Sequence, residues 1–208
     1  LVPYRPRASI VCKALGREPG TATFYADHEQ QGSLSAAHER GGTTTATSIQ
    51  VTTLDAEVGE REVFLLKLDL QGSEVAALQG AARLLKDERL AWLHTEFAPS
   101  LLQDAGTSGV EYLELLSRHG FGCRNFRERS YRPWWCNEYV NHSGSVTKVC
   151  WTDLICGHKR VARFAADWQT QLLGQYCNAQ RRLCHGGGAG VSCSALHSNF
   201  RASCVGTR

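Results

Sequence analysis

Methionine is missing from all 208 residues. A translated chain needs an initiator, and Met is a common filler of irregular core gaps, so a sequence that opens at Leu1 is expected to be a fragment whose true beginning lies upstream. No run of about 18 apolar residues occurs, and Leu1-Val2-Pro3-Tyr4-Arg5 lacks the basic-then-apolar order of a secretory leader. Neither a membrane span nor a cleavable signal is therefore legible, and the compartment is left unassigned. A strong excess of one charge is also lacking: 23 Lys and Arg against 20 Asp and Glu give +3, too little to point to a nucleic-acid partner. Acid is scarce only locally. Residues 159–208 hold 7 basic residues against Asp167 alone, whereas residues 1–158 hold 16 against 19. That change of sign marks a boundary between a domain over 1–158 and a basic, Cys- and Gly-rich extension over 159–208 that is expected to be partly disordered.

What is present fits a globular domain with a sizeable core, since 42% of residues are hydrophobic and 21% charged. Cysteine is plentiful, and its count of nine is odd. In a secreted protein that would imply bridges plus a free thiol, but the chain is neither short nor visibly secreted. Cys150 and Cys156 lie on an apolar run, where small buried thiols pack as apolar residues. Cys177, Cys184-His185, Cys193 and Cys204 are spaced too widely for a tight zinc knuckle, so no metal is expected.

Ser9–Leu15 reads as a strand ended by Gly16, and the turn Glu18-Pro19-Gly20 leads into β-prone Thr21–Tyr25. Residues 27–47 lack any period and read as a long exposed loop, after which Ile49–Leu54 resumes an extended pattern. Val63–Leu70 is nearly continuously apolar up to Gly72, the pattern of a strand covered on both faces in a parallel sheet. Val75, Leu78, Ala82 and Leu85 then recur at helical spacing over Ser73–Lys86. Leu90–Phe97 is a second apolar strand, and Ser108-Gly109-Val110-Glu111 is a capping box opening a helix that stops at His119-Gly120. Phe121–Phe126 and Val149–Cys156 read as further strands separated by an aromatic and polar insertion, and Arg160–Leu173 as a helix. The grammar predicts an α/β fold with a mainly parallel sheet.

In such a sheet, ligands bind beyond the carboxyl ends of the strands. Lys67, Asp69 and Gln71 alternate onto one side of the first such end, and His94 and Glu96 share a face on the second. If the two strands are neighbours, Asp69 and Glu96 project into one crevice as paired carboxylates able to bind a cation or take a proton. An acid at a strand end also serves as a helix cap or turn former. Lys67 suits an ion pair with Asp69 or Glu74 better than a basic role in catalysis, and His94 suits a satisfied core histidine.

Thr53-Leu54-Asp55, Leu66-Lys67-Leu68-Asp69-Leu70-Gln71-Gly72-Ser73-Glu74, Leu78-Gln79-Gly80-Ala81 and His94-Thr95-Glu96-Phe97 stand in this order in the chain. Together they resemble the FkbM-type methyltransferases, whose pattern has a leucine-aspartate pair, K-x-D-x-E-G-x-E, L-x-G-A and a later V-E-F-like strand. Ala14-Leu15-Gly16 with Gly20-Thr21-Ala22-Thr23-Phe24 is similar to the family's A-x-G-x-x-x-G-x-x-x-F segment, and Thr152-Asp153-Leu154-Ile155 to its closing strand. The resemblance covers about residues 9–158 and departs at Gln71, where the family usually has Glu; the amide keeps hydrogen bonding but loses a charge.

The resemblance implies a Rossmann-like methyltransferase sheet and transfer of a methyl group from S-adenosylmethionine to a hydroxyl on a sugar or natural-product-like acceptor. It implies Asp69 and Glu96 as catalytic residues and Ala14, Leu15 and Gly16 as cofactor contacts. Lys67, Gln71, Gly72, Glu74 and His94 become substrate-binding or supporting residues. The family's Gly-rich turn after a first strand, and the acid that grips the cofactor ribose, have no counterpart in this sequence. The cluster Gly186-Gly187-Gly188-Ala189-Gly190 follows no predicted strand. The cofactor-binding strands are therefore expected to be missing from the N-terminal side, and this chain to bind the cofactor weakly. A non-catalytic module that keeps the fold for binding is the alternative, and a Cys/His metal-binding protein a third class.

Overall fold

The computed structural model describes residues 8–26, 32–34, 45–126, 135–140 and 146–162. The β-prone run after Gly20 pairs with the Thr-rich segment that follows the loop, forming one sheet. Its strands are β1 (Ala14–Leu15), β2 (Gly20–Ala26), β3 (Gly32–Ser33) and β4 (Thr45–Thr52), in the order β1-β4-β2-β3. Only β1–β4 is parallel. The expected long loop is thus shorter than its composition implies: β4 begins at Thr45, and Gly32–Ser33 already pair with β2. The first strand is also shorter, confined to Ala14–Leu15.

Leu54 leaves the extended pattern because Thr53 caps a helix, its hydroxyl accepting a bond from Ala56 N, and α1 spans Leu54–Val58. The best apolar run then forms β5 (Val63–Leu68). The helix expected over Ser73–Lys86 is two short ones, α2 (Glu74–Gln79) and α3 (Ala82–Lys86), broken at Gly80-Ala81. Gly80 is therefore a break in the helix and not a residue inside it. The break needs glycine, because a Cβ on Gly80 would overlap the carbonyl oxygen of Gly16 and stand 3.2 Å from Thr53 Cβ. The freed carbonyl of Gly80 accepts from Asp55 N at 3.0 Å.

Asp55 completes this junction. Its carboxylate accepts from Arg83 N (2.8 Å) and Leu84 N (2.9 Å), capping the N-terminus of α3 from a distant part of the chain. Asp55→Ala leaves both donors unpaired and should cost about 1–2 kcal/mol, read as a lower urea midpoint; Asp55→Asn, which keeps one acceptor, should lose less.

β6 (Leu90–Phe97), α4 (Pro99–Asp104) and α5 (Gly109–Arg118) follow. Ser108 Oγ accepts from Glu111 N at 3.1 Å, as the capping box predicts, and Gly120 past the helix end takes φ 77°. β7 (Phe121–Asn125), β8 (Trp135–Val140) and β9 (Val146–His158) finish the described chain. β8 pairs with β9 inside a segment read as a polar insertion.

The second sheet has the order β5-β6-β9-β7. β5 and β6 are parallel, but β9 runs antiparallel to both β6 and β7, so the expectation of a mainly parallel sheet is corrected. The last strand inserts between β6 and β7, antiparallel to both. β5 is not covered on both faces either: among the described residues nothing pairs with its outer edge, and Phe64 and Leu65 are 77% and 53% exposed.

One face of this sheet carries Leu68, Leu93, Phe97, Leu154 and Phe121 into a core with Val75, Leu78, Leu84, Leu102, Tyr112, Leu113 and Leu116 from the helices. Burying such side chains contributes about 1.5–3 kcal/mol each. Cys123 and Cys156 face each other in the β7–β9 register and form a disulfide, which corrects the reading of Cys156 as a packed free thiol. Antiparallel pairing brings together residues 33 positions apart, a proximity that spacing does not reveal. The side chain of Cys150, the rest of the predicted helix after Ala162, and Cys177, Cys184, His185, Cys193 and Cys204 lie outside the described residues.

Candidate active site

β5 ends at Leu68, and a tight turn must reverse the chain before α2. Gln71 and Gly72 make it with φ of 51° and 100°. Glu74 folds its carboxylate back over this turn, where Leu70 N donates to Oε1 at 2.8 Å and Gly72 N to Oε2 at 3.0 Å. Glu74 is 2% exposed. Burial pushes its carboxyl above the usual carboxylate range, and the backbone N–H groups pull in the other direction. Its described role is to clamp the turn, one residue inside the helix, in addition to any dipole contribution.

The parallel register sets Lys67 beside His94 and Leu68 beside Thr95, which carries Glu96 to the same end of the sheet as the turn. The two predicted carboxylates are then joined through Gln71: its Nε2 donates to Asp69 Oδ1 at 3.1 Å and to Glu96 Oε2 at 3.0 Å. A primary amide has two N–H donors, so one side chain can hold both acids. A glutamate at this position would lack both donors. Lys67 Nζ lies 3.1 Å from Asp69 Oδ2, but both side chains are at least half exposed, so this pair adds less than about 1 kcal/mol.

Burial pushes the Glu96 carboxyl up to about 7, with Asp69, Glu74 and Asp153 adding repulsion and Lys67 opposing it. A carboxyl poised there exchanges a proton at neutral pH, which suits a general base. His94 shares this face; its ring lies 5.1 Å from that of Phe126, and its Nε2 makes no hydrogen bond and stands 3.9 Å from Asp153 Oδ1.

The remaining predicted residues sit elsewhere. Leu15 packs at the edge of the core, β1 pairs with Val51 and Thr52, Gly16 N donates to Thr52 O, and the Gly16 carbonyl abuts Gly80. These contacts are with β4 and the α2–α3 break, not with the carboxylates. Asp153, which the β6–β9 register sets opposite Glu96, is not among the predicted site residues. Among the described residues no group of three or more His, Cys, Asp or Glu side chains is gathered to hold a metal, and no helix is long and apolar enough to cross a membrane.

Residues 4–123, more than half of the chain, match the family described as Methyltransferase FkbM domain. The chain belongs to the FkbM methyltransferase family. No curated protein and no solved structure matches it. Within the FkbM segment the motifs divide by physical role. Thr53-Leu54-Asp55 and Leu78-Gln79-Gly80-Ala81 form the capped, close-packed junction between β1, α1 and α3. Lys67–Glu74 and Glu96 form the carboxylate site. Asp153 lies beyond the matched residues.

Proposed function

We propose that this FkbM chain belongs to an S-adenosylmethionine-dependent O-methyltransferase in which Asp69 and Glu96 receive the acceptor hydroxyl. The observation that carries the reading is the Gln71 amide bridging Asp69 and a Glu96 whose proton affinity lies near neutrality. The donor set fits the cofactor by charge, because among the described residues the cation beside these carboxylates is the exposed Lys67, which leaves them able to complement a positive sulfonium. When bound, S-adenosylmethionine supplies an electrophilic methyl group.

Everything else falls to the chain's own residues. Asp69, tethered by Gln71 and Lys67, accepts a hydrogen bond from the hydroxyl and orients it. Glu96 accepts the hydroxyl proton, so the acceptor leaves as an ether and the carboxylate as an acid. Glu74 and Gly72 keep the turn in shape, and His94 borders the face. Alignment of this kind lowers the barrier more than base strength does. The acceptor proposed is a hydroxyl on a sugar or natural-product-like scaffold.

Ala14, Leu15 and Gly16 are the residues proposed beside the adenine. The parallel β5–β6 pair joined through α2 and α3 supports a Rossmann-like sheet. The apolar outer edge of β5 is where we place the Gly-rich cofactor strands, since sheets rarely leave such an edge bare. Calorimetric titration with S-adenosylmethionine tests this arrangement. This chain alone should show no micromolar binding, and the protein read from further upstream should show it. Micromolar binding by the chain alone overturns the placement of the strands; binding by neither overturns the methyltransferase reading.

A second reading, a non-catalytic module using the fold for binding, is favoured by Gln71 in place of the family's Glu. Under it, Asp69→Ala changes no turnover.

A further inference from the structure

Antiparallel pairing sets Asp153 on β9 directly opposite Glu96 on β6. Side chains directly opposite on neighbouring strands have Cβ atoms about 4.5–5.5 Å apart, and like charges placed so repel. The backbone fixes this arrangement: Phe126 N donates to the Asp153 carbonyl at 2.8 Å, tying the end of β7 to the same residue. The Asp153 side chain is about one-third exposed, at 35%, so solvent screens its charge only in part.

Among the described residues, the groups facing Glu96 come from several elements. The turn after β5 contributes Asp69 and the Gln71 amide; β5 contributes Lys67, α2 contributes Glu74, and β9 contributes Asp153. His94 shares its own strand face and meets Asp153 at 3.9 Å, and Arg124 stands on the same face of the sheet one strand beyond β9. Asp69 faces the acceptor in the reading above, and Glu74 is spent on the turn. Asp153 has neither task, yet it occupies the position directly opposite Glu96 on the neighbouring strand.

We propose that Asp153 is a positioning residue of the carboxylate site: from the adjacent strand, its charge adds to burial and to Asp69 and Glu74 in holding Glu96 in the state that exchanges a proton with the acceptor. The role rests on Glu96 being the proton acceptor, and it draws on β9, outside the segment that identifies the family. Without the opposing charge, Glu96 would remain ionised further into acid and become a weaker base.

The test is direct titration of the Glu96 carboxyl by carbon-detected NMR in this chain, native and Asp153→Asn, assigned with Glu96→Gln. The midpoint should fall by about half to one pH unit in Asp153→Asn, and Asp153→Glu, which folds with the charge retained, should bring it back toward the native value. An unchanged midpoint in Asp153→Asn, or a fall that Asp153→Glu does not reverse, overturns the proposal. The readout needs no turnover. A shifted midpoint in a protein that transfers no methyl group supports the electrostatic role while the methyltransferase reading fails; transfer with an unmoved midpoint does the opposite.

Discussion

Gly72→Ala is expected to destabilise the chain by about 3–5 kcal/mol, a large share of a typical domain's 5–15 kcal/mol. Two costs coincide at this position. Its φ of 100° lies where an L side chain is strained, and an added Cβ would overlap the carbonyl oxygen of Leu101 and stand 2.7 Å from its carbonyl carbon. The obstacle is backbone, so no rotamer change relieves it. Moving α4 away would also disturb Leu102, which is 1% exposed in the core. Gly106 supplies the comparison, because its φ of 80° carries the same kind of strain with nothing within 4 Å of an added Cβ. Gly106→Ala should therefore lose only about 1 kcal/mol. Urea denaturation of both variants reads the difference, and equal losses would show that the Leu101 contact does not constrain the turn.

The second large effect falls on Glu96. Glu96→Gln should slow methyl transfer by the protein by about 10²–10⁴-fold at neutral pH, the range associated with a positioned general base. The same substitution should act on stability in the opposite sense. The folded protein raises this carboxyl from 4.5 to about 7. It therefore binds more protons than the unfolded chain between those values, and native stability falls as pH rises through that window. Each pKa unit corresponds to about 1.4 kcal/mol, and partial exposure reduces the total to roughly 2 kcal/mol. Glu96→Gln, which cannot ionise, should gain about that much relative to the native chain at about pH 8 compared with about pH 4. Lost turnover combined with gained stability separates a functional carboxylate from a structural one, whose removal would lower both.

Much of the site was legible because strand alternation and motif order are local properties. Lys67, Asp69 and Gln71 alternate along the chain, and His94 and Glu96 do likewise; a parallel β5–β6 pair was all that was needed to bring Asp69 and Glu96 together. The capping box at Ser108 was readable for the same reason. What escaped depends on pairings between distant segments. Nothing in the run Val146–His158 announces that it inserts antiparallel between β6 and β7, so the direction of the sheet, the Cys123–Cys156 bond and Asp153 opposite Glu96 were all invisible together. Gly80 illustrates a subtler case. Helical spacing continues across it, but α2 ends there, where Gly80 packs against the Gly16 carbonyl. The Asp55 cap likewise requires knowing that α1 lies beside α3.

The Gln71-bridged acids are proposed as the acceptor end of a methyl-transfer site. The most direct test is the rate of labelled-methyl transfer from saturating S-adenosylmethionine to a panel of hydroxylated acceptors by the protein, followed from about pH 5 to about pH 9. The rate should rise through a single acid limb with a midpoint at about 7, and that limb should disappear in Glu96→Gln. An undiminished rate in Glu96→Gln with the same limb would contradict it.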